Sequence, residues 1–297
     1  MTYKIAALYK FTPINDIPSL RADIYAFAEG CEGMCGTLLL APEGVNGTIG
    51  AKPEALDRMI GFLDERLGVK SGELKFSEST DSPFNKFKVR PKKEIITMRA
   101  PEADPNVAVG DYVDVDKWND LLNDPEVTVL DTRNDYETKV GIFKGAIDPN
   151  LKTFTDFKDY VEENLDPATH KKVAMYCTGG IRCEKASSYM MAKGFENVYH
   201  LKGGILKYLE TVPADESQWD GECFVFDKRV AVGHGLSESK DWTICHGCRE
   251  PLSHAETERD DYELGVSCLH CSDTLTEERA AMLRQRQAYY TKAHSER

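Results

Sequence analysis

Between residues 127 and 211 the chain alternates short apolar runs with stretches of helical spacing: VTVLD (127–131), KVAMYC (172–177) and NVYHL (197–201) are each followed by one. Short β-branched runs separated by helices read as parallel strands. Parallel strands need long crossover connections, and the crossover helices cover both faces of the sheet. A helix is expected near 116–123 and another begins near 134. A short strand follows around 146–148, then helices near 154–164, 183–193 and 204–211. In such α/β sheets the chemistry collects at the carboxyl ends of the strands. Cys177 stands at one of those ends.

The residues around it are Met175-Tyr176-Cys177-Thr178-Gly179-Gly180-Ile181-Arg182-Cys183. A strand delivers a cysteine into a short loop with two glycines, and a helix follows. Loop amides and the helix N-terminus then form an anion-binding cradle. A thiol in that field has a lowered pKa, since amide dipoles and the charge of Arg182 favour the thiolate. The chemistry implied is a nucleophilic thiolate, or a persulfide carried on it. The competing reading is a buried structural cysteine. Cys183, six residues on, is placed either to resolve Cys177 as a disulfide or, at the start of a helix, to point away and pack. Packing is the expectation.

The rest of the chain divides around this region. Residues 3–12 read as a strand and Asp16 to about Ala28 as a helix, with Asp16 as N-cap and Pro18 in the first turn. Strands at 36–41 and 45–50 flank Pro42-Glu43-Gly44. Residues 53–67 carry Leu56, Ile60, Leu63 and Leu67 at helical spacing, and strands are expected at 73–78 and 86–98. The order is β-α-β-β-α-β, a ferredoxin-like α+β arrangement, which by itself settles no function. Residues 100–114, rich in Pro, Gly and acids, read as a linker. The expected organisation is thus residues 1–99 ferredoxin-like, 100–114 linker, 115–212 a parallel α/β domain and 213–297 a Cys-rich region. In the last, 221–233 reads as a hairpin. Thr276 to about His294 reads as a helix with Met282 and Tyr289 on one face.

Charge sharpens the picture. The chain carries a net −13, which argues against non-specific coating of nucleic acid. Residues 1–100, however, hold 14 basic against 13 acidic side chains. Lys86, Lys88, Arg90, Lys92, Lys93 and Arg99 fall together with Glu94 as their one acidic neighbour. That strip is either a solvated edge strand, guarded by its lysines, or a phosphate-contacting surface with Phe84 and Phe87 nearby for stacking. Charge alone leaves both open.

No apolar run reaches the roughly 20 residues of a membrane span. The opening residues run into a strand-like segment with no secretory signature, so a cytoplasmic location and reduced cysteines are expected. Of nine cysteines, Cys245, Cys248, Cys268 and Cys271 form C-x2-C-x19-C-x2-C, the spacing of a closed, structural four-cysteine zinc site. Loose reduced thiols are the alternative. Cys31 and Cys35 read as incidental and Cys223 as core. No flavin, haem or nicotinamide motif is present.

These motifs resemble a known family. Residues 115–212 resemble the rhodanese domain: Leu130-Asp131-Thr132-Arg133-Asn134-Asp135-Tyr136-Glu137 is similar to its first signature and Gly141-Ile142-Phe143-Lys144-Gly145-Ala146-Ile147 to its G-x-x-x-G-A segment. The Cys177 loop and Gly203-Gly204 complete the set. The C-x4-R spacing from Cys177 to Arg182 is that of the rhodanese loop, whereas the related phosphatases use a loop one residue longer. With "APEGVNGTI" (41–49), "GECFVFD" (221–227) and the Cys-rich tail, almost the whole chain resembles the bacterial rhodanese-related tRNA uridine 5-hydroxylases. The resemblance implies oxygen-dependent 5-hydroxylation of the wobble uridine of tRNA, with molecular oxygen as co-substrate and Cys177 as the nucleophile. Thr178, Gly179, Gly180, Ile181 and Arg182 would form the loop, with Asp131 and Arg133 bracing it. It turns Lys86, Lys88, Arg90, Lys92 and Lys93 into the expected tRNA-docking strip. Two other readings stand beside it: a sulfurtransferase carrying a cysteine persulfide, and a non-catalytic RNA-binding protein with a vestigial rhodanese domain. Neither the electron donor nor the oligomeric state is encoded in any motif.

Overall fold

The structure is a computed structural model and describes residues 2–295. Contacts divide it into two units, Met1–Lys228 with Val232–Ser237, and Arg229–Ala231 with Glu238–Arg297.

The first unit opens with β1 (Tyr3–Phe11), α1 (Ile17–Ala28), β2 (Cys35–Ala41), β3 (Gly44–Ala51), α2 (Pro53–Leu67), β4 (Glu73–Ser79) and β5 (Phe87–Pro91). The sheet order is β4-β1-β3-β2-β5. β1, β3, β2 and β4 pair antiparallel, and β5 joins β2 in parallel as an added edge. The first four strands are the ferredoxin-like arrangement. Local chemistry sets the helices. Asp16 accepts the Ser19 amide at 2.9 Å as an N-cap. α2 starts on Pro53 and stops at Gly68, whose φ of 66° is cheap only for glycine. Leu56, Ile60, Leu63 and Leu67 are all buried, against Ala6, Leu8, Leu38 and Leu40 of the sheet. Tyr9, Phe11 and Ala41 form a separate apolar group with Ile95, and Ile181 of the central region packs against it. The strand expected over 86–98 ends at Pro91. Beyond it the Glu94 carboxylate accepts the Met98 and Arg99 amides, at 2.9 and 3.2 Å, which turns the chain back on itself.

Met98, Ala100 and Ala103 are buried in the core of the central region. There follow β6 (Asp111–Val113), α3 (Val115–Asn123), β7 (Val127–Asp131), α4 (Asp135–Thr138), β8 (Gly141–Phe143), α5 (Phe157–Asn164), β9 (Lys172–Tyr176), α6 (Ile181–Ala192), β10 (Asn197–Leu201) and α7 (Gly204–Thr211). The parallel sheet runs β6-β10-β9-β7. Alternation along β9 fills both faces. Val173, Met175 and Cys177 face α5 and α6, in a core with Phe157, Cys183 and Met190. Ala174 and Tyr176 face α3 and α7, in a core with Trp118, Ile205 and Leu209. The strand expected at 146–148 reduces to one parallel bridge, Leu130 to Ile147. The extended segment lies earlier, in β8. It pairs antiparallel with β11 (Trp219–Gly221), a partner remote in sequence that local periodicity does not reveal.

In the second unit, Trp242–Ile244 and Pro251–Ser253 form a hairpin. The terminal helix, Glu277–Ser295, buries Ala280 and Leu283 against Val266, while Met282 and Tyr289 are exposed. No helix among the described residues is long and apolar enough to cross a membrane.

Candidate active site and cysteine centre

Cys177 follows the last residue of β9 and is buried. The loop closes around its sulfur. Gly180 donates its amide to Sγ at 3.1 Å from a backbone with φ 105°, a conformation that favours glycine. A Cβ there would stand 2.7 Å from the Tyr9 hydroxyl. Gly204 has a second steric role: a Cβ on it would lie 2.5 Å from the Cys177 carbonyl oxygen and 2.6 Å from that of Thr178. Its absence lets α7 approach, so that Ile205 and Leu206 donate their amides to those two carbonyls at 3.0 and 3.1 Å. Over Gly179 there is open space.

Arg182 does not stand free beside the sulfur. Its guanidinium makes a two-pronged pair with Glu137, at 2.5 and 2.7 Å, with both side chains buried. Thr178 joins this pair, donating its hydroxyl to Glu137 at 3.3 Å. Asp131 and Arg133 pair with each other, through Nε–Oδ1 and Nη2–Oδ2 contacts of 3.0 and 2.6 Å, fully buried. Arg133 also donates to the backbone carbonyls of Glu137 and Gly141, at 3.2 and 2.6 Å. The Asp131–Arg133 pair therefore holds the segment bearing Glu137, and Glu137 holds Arg182. Glu137 is the functional residue that spacing missed. It lies in the quoted LDTRNDYE segment, but only the fold brings it against Arg182.

Cys183 is buried in the core, as packing requires, with its sulfur 3.5 Å from the Thr132 hydroxyl. Burial pushes the Cys177 thiol up, but it is outweighed by the Cys183 thiol, the Arg182 charge and the amides of Cys183 and Gly180. The result is a pKa brought down to about 6. The Cys183 thiol is pushed well up by burial and by the neighbouring Cys177. Of the two thiols, Cys177 is the one whose ionised form the surroundings favour.

The helix that follows the loop is tied to the ferredoxin-like sheet. Tyr9 of β1 donates its hydroxyl to Glu184 at 2.8 Å. Lys185, buried, reaches Glu43 at 3.0 Å, Glu94 at 2.5 Å and the Ile96 carbonyl at 2.9 Å. Glu43 is the acid of the APEGVNGTI motif. The basic strip lies apart from these contacts. Lys86, Lys88, Arg90, Lys92 and Lys93 are exposed on and beside the edge strand β5. Arg21 and Tyr25 of α1 already satisfy the outward carbonyl and amide of Val89. Phe87, expected as a stacking surface, instead packs edge-on against Tyr25 and into the N-terminal core.

In the second unit the sulfurs of Cys245, Cys248, Cys268 and Cys271 lie within 4.8 Å of one another and could hold a metal ion. Contacts of 3.9, 3.7 and 3.9 Å separate 245 from 271, 248 from 268 and 268 from 271. A tetrahedron with metal–sulfur bonds of about 2.3 Å has edges of about 3.8 Å, so the residues fit a thiolate-bound divalent ion. Cys31, Cys35 and Cys223 are buried and outside both sites.

Comparison with known proteins agrees with this layout. Residues 3–95 match the UPF0176 acylphosphatase like domain, and residues 114–211 match the rhodanese-like domain. A curated protein of Deinococcus radiodurans, named tRNA uridine(34) hydroxylase, is 51% identical over 98% of this chain and 96% of its own length. One of Teredinibacter turnerae with the same name is 50% identical over 96% of this chain and 88% of its own. With half of its residues shared across nearly its whole length, the chain belongs to the tRNA uridine(34) hydroxylase family.

Proposed function

We propose that this protein hydroxylates carbon 5 of the wobble uridine in tRNA, in the cytoplasm, with molecular oxygen as co-substrate and Cys177 as the nucleophile. The observation that carries the catalytic assignment is the buried Cys177 sulfur held by the Gly180 amide at 3.1 Å, with its pKa brought down to about 6 despite burial. Such a thiolate is ionised at neutral pH without an external base. Its addition to carbon 6 of uracil would form an S–C bond at the cost of the C5=C6 π bond and move that electron pair toward carbon 5, which makes it reactive toward oxygen; once carbon 5 carries the hydroxyl, loss of its proton and expulsion of the Cys177 thiolate restore the double bond. Replacing hydrogen by hydroxyl with O2 releases the second oxygen as water and consumes two electrons, which a reductant supplies. Thr178, Gly179, Gly180 and Ile181 shape the loop. Arg182, Asp131 and Arg133 hold it in place through Glu137. The basic residues Lys86, Lys88, Arg90, Lys92 and Lys93 dock the tRNA backbone. The four-cysteine centre holds zinc, which keeps its own unit folded and supplies no step of the reaction.

The test is mass spectrometry of tRNA nucleosides from cells lacking the gene, complemented with wild-type or Cys177→Ser protein. Loss of 5-hydroxyuridine, restored by wild type alone, is the expected result. Hydroxylation by the Cys177→Ser protein removes the assignment. Unchanged hydroxylation with altered thiolation turns the reading into sulfur transfer.

A further inference from the structure

The Cys177 loop is held at both ends by backbone hydrogen bonds. Before its glycines, Ile205 and Leu206 of α7 donate their amides to the Cys177 and Thr178 carbonyls, at 3.0 and 3.1 Å. After them α6 begins, with the Glu184 amide bonded to the Gly180 carbonyl at 3.2 Å. Between lie Gly179 and Gly180, of the residue type that loses most conformational freedom on ordering. Nothing stands within 4 Å of where a Cβ on Gly179 would be. Gly180 nevertheless keeps a φ of 105° and turns its amide onto the Cys177 sulfur at 3.1 Å. Its seat comes from outside the loop.

That seat is Tyr9, a residue of β1 in the ferredoxin-like sheet. Its hydroxyl oxygen stands 2.7 Å from where a Cβ on Gly180 would be, so it fills the space a side chain would take. The hydroxyl is locked in turn, since it donates to the Glu184 carboxylate at 2.8 Å in a buried bond. The ring belongs to the apolar group of Phe11, Ala41 and Ile95, against which Ile181 packs. Gly180, Ile181 and Glu184 thus rest on one side chain and its neighbours. The charged and titratable groups around the sulfur are Arg182 of α6 with its partner Glu137 of α4, the Cys183 thiol, and the Asp131–Arg133 pair at the end of β7, beyond Glu137. Glu184 lies behind Gly180, and α7 contributes the two amides named.

We propose that Tyr9 is a positioning residue for Cys177: its hydroxyl, locked by Glu184, seats Gly180 so that the Gly180 amide stays on the sulfur. The inference rests on the reading of Cys177 as the nucleophile. It gives the ferredoxin-like domain a part in preparing the reacting sulfur, separate from any contact with RNA. A residue that acts through Gly180 changes how readily Cys177 ionises, whereas one that merely packs changes stability alone.

The experiment uses the full-length protein and follows iodoacetamide alkylation of Cys177 against pH. It is measured on the tryptic peptide of residues 173–182, which holds no other cysteine. Urea unfolding of each variant runs in parallel. Tyr9→Phe keeps the ring and removes the oxygen, and it leaves every charge near the sulfur in place. Its alkylation midpoint should rise by about one unit, the worth of one hydrogen bond to a charged sulfur, and its rate at the wild-type midpoint should fall about fivefold. Phe11→Leu loosens the same apolar group and leaves the hydroxyl in place, so it should lose stability and keep the wild-type midpoint. Glu184→Gln and Glu184→Leu remove the same charge, but only glutamine can still accept the hydroxyl. The leucine variant should therefore titrate about one unit above the glutamine variant, and this pair decides the matter even if Tyr9→Phe does not fold. A Tyr9→Phe midpoint equal to that of wild type overturns the proposal, as does an equal shift in Phe11→Leu or a common midpoint for the two Glu184 variants. If the midpoints move as expected but the Cys177→Ser protein still hydroxylates tRNA, the positioning role stands and the reading of Cys177 as nucleophile fails.

Discussion

Changing Glu137 to Gln removes one charge from a fully buried pair and little else. Glutamine keeps the length of the side chain and can still accept the Asn134 amide, the cap contact at 3.2 Å that starts α4. What is lost at the second oxygen is half of the two-pronged contact with Arg182, a guanidinium also buried, together with the acceptor of the Thr178 hydroxyl. Breaking one partner of a buried pair leaves an uncompensated charge and typically costs about 3–5 kcal/mol. The retained carbonyl contact places Glu137→Gln at the lower end, about 3 kcal/mol. Urea unfolding followed by tryptophan fluorescence reads this directly, because Trp118 and Trp219 are buried in the same core as Tyr176, next to Cys177. The double variant Glu137→Leu/Arg182→Met puts apolar side chains in place of both charges and should recover most of the loss. A Glu137→Gln protein within about 1 kcal/mol of wild type, or a double variant no more stable than the single, would show that this pair does not hold the loop.

Four further outcomes can be checked. The alkylation rate of Cys177 should rise with pH through about 6 and then level; Cys183→Ala should move that rise to higher pH, since the donor that lowers the pKa is gone. Because the folded-state pKa lies below the ordinary thiol value of 9.0, the stability Cys177 contributes is complete above pH 9.0 and is lost as pH falls to about 6. Metal analysis should find about one zinc per chain, and chelation or Cys268→Ser should unfold the Glu238–Arg297 unit while Cys177 alkylation persists. Charge reversal at Lys86, Lys88, Arg90 and Lys92 should weaken tRNA binding and flatten its salt dependence; unchanged binding by a folded variant would sink the docking role of the strip.

The elements were largely legible because their signals are local. The period of Leu56, Ile60, Leu63 and Leu67, the Asp16 cap and the apolar runs at 127–131, 172–177 and 197–201 each fix a helix or strand through neighbouring residues. Errors fell where a remote partner decides. β5 ends early because Glu94 captures amides beyond it, and β8 is a strand because β11 pairs with it.

The sequence by itself determined the frame of the candidate site: a cysteine at a strand end, two glycines, and an arginine five positions on. It also determined the four sulfurs that the fold brings within 4.8 Å of one another, since their spacing is a property of two short turns. Only tertiary structure decided how the charge near Cys177 is used. Arg182 is spent on Glu137, which the fold brings against it from 45 residues away. The sheet of the first domain reaches the helix that carries this loop through Tyr9–Glu184 and Lys185 with Glu43 and Glu94. A buried charge must find a partner wherever the fold offers one, and those partners lie tens of residues away along the chain, beyond the reach of any local pattern.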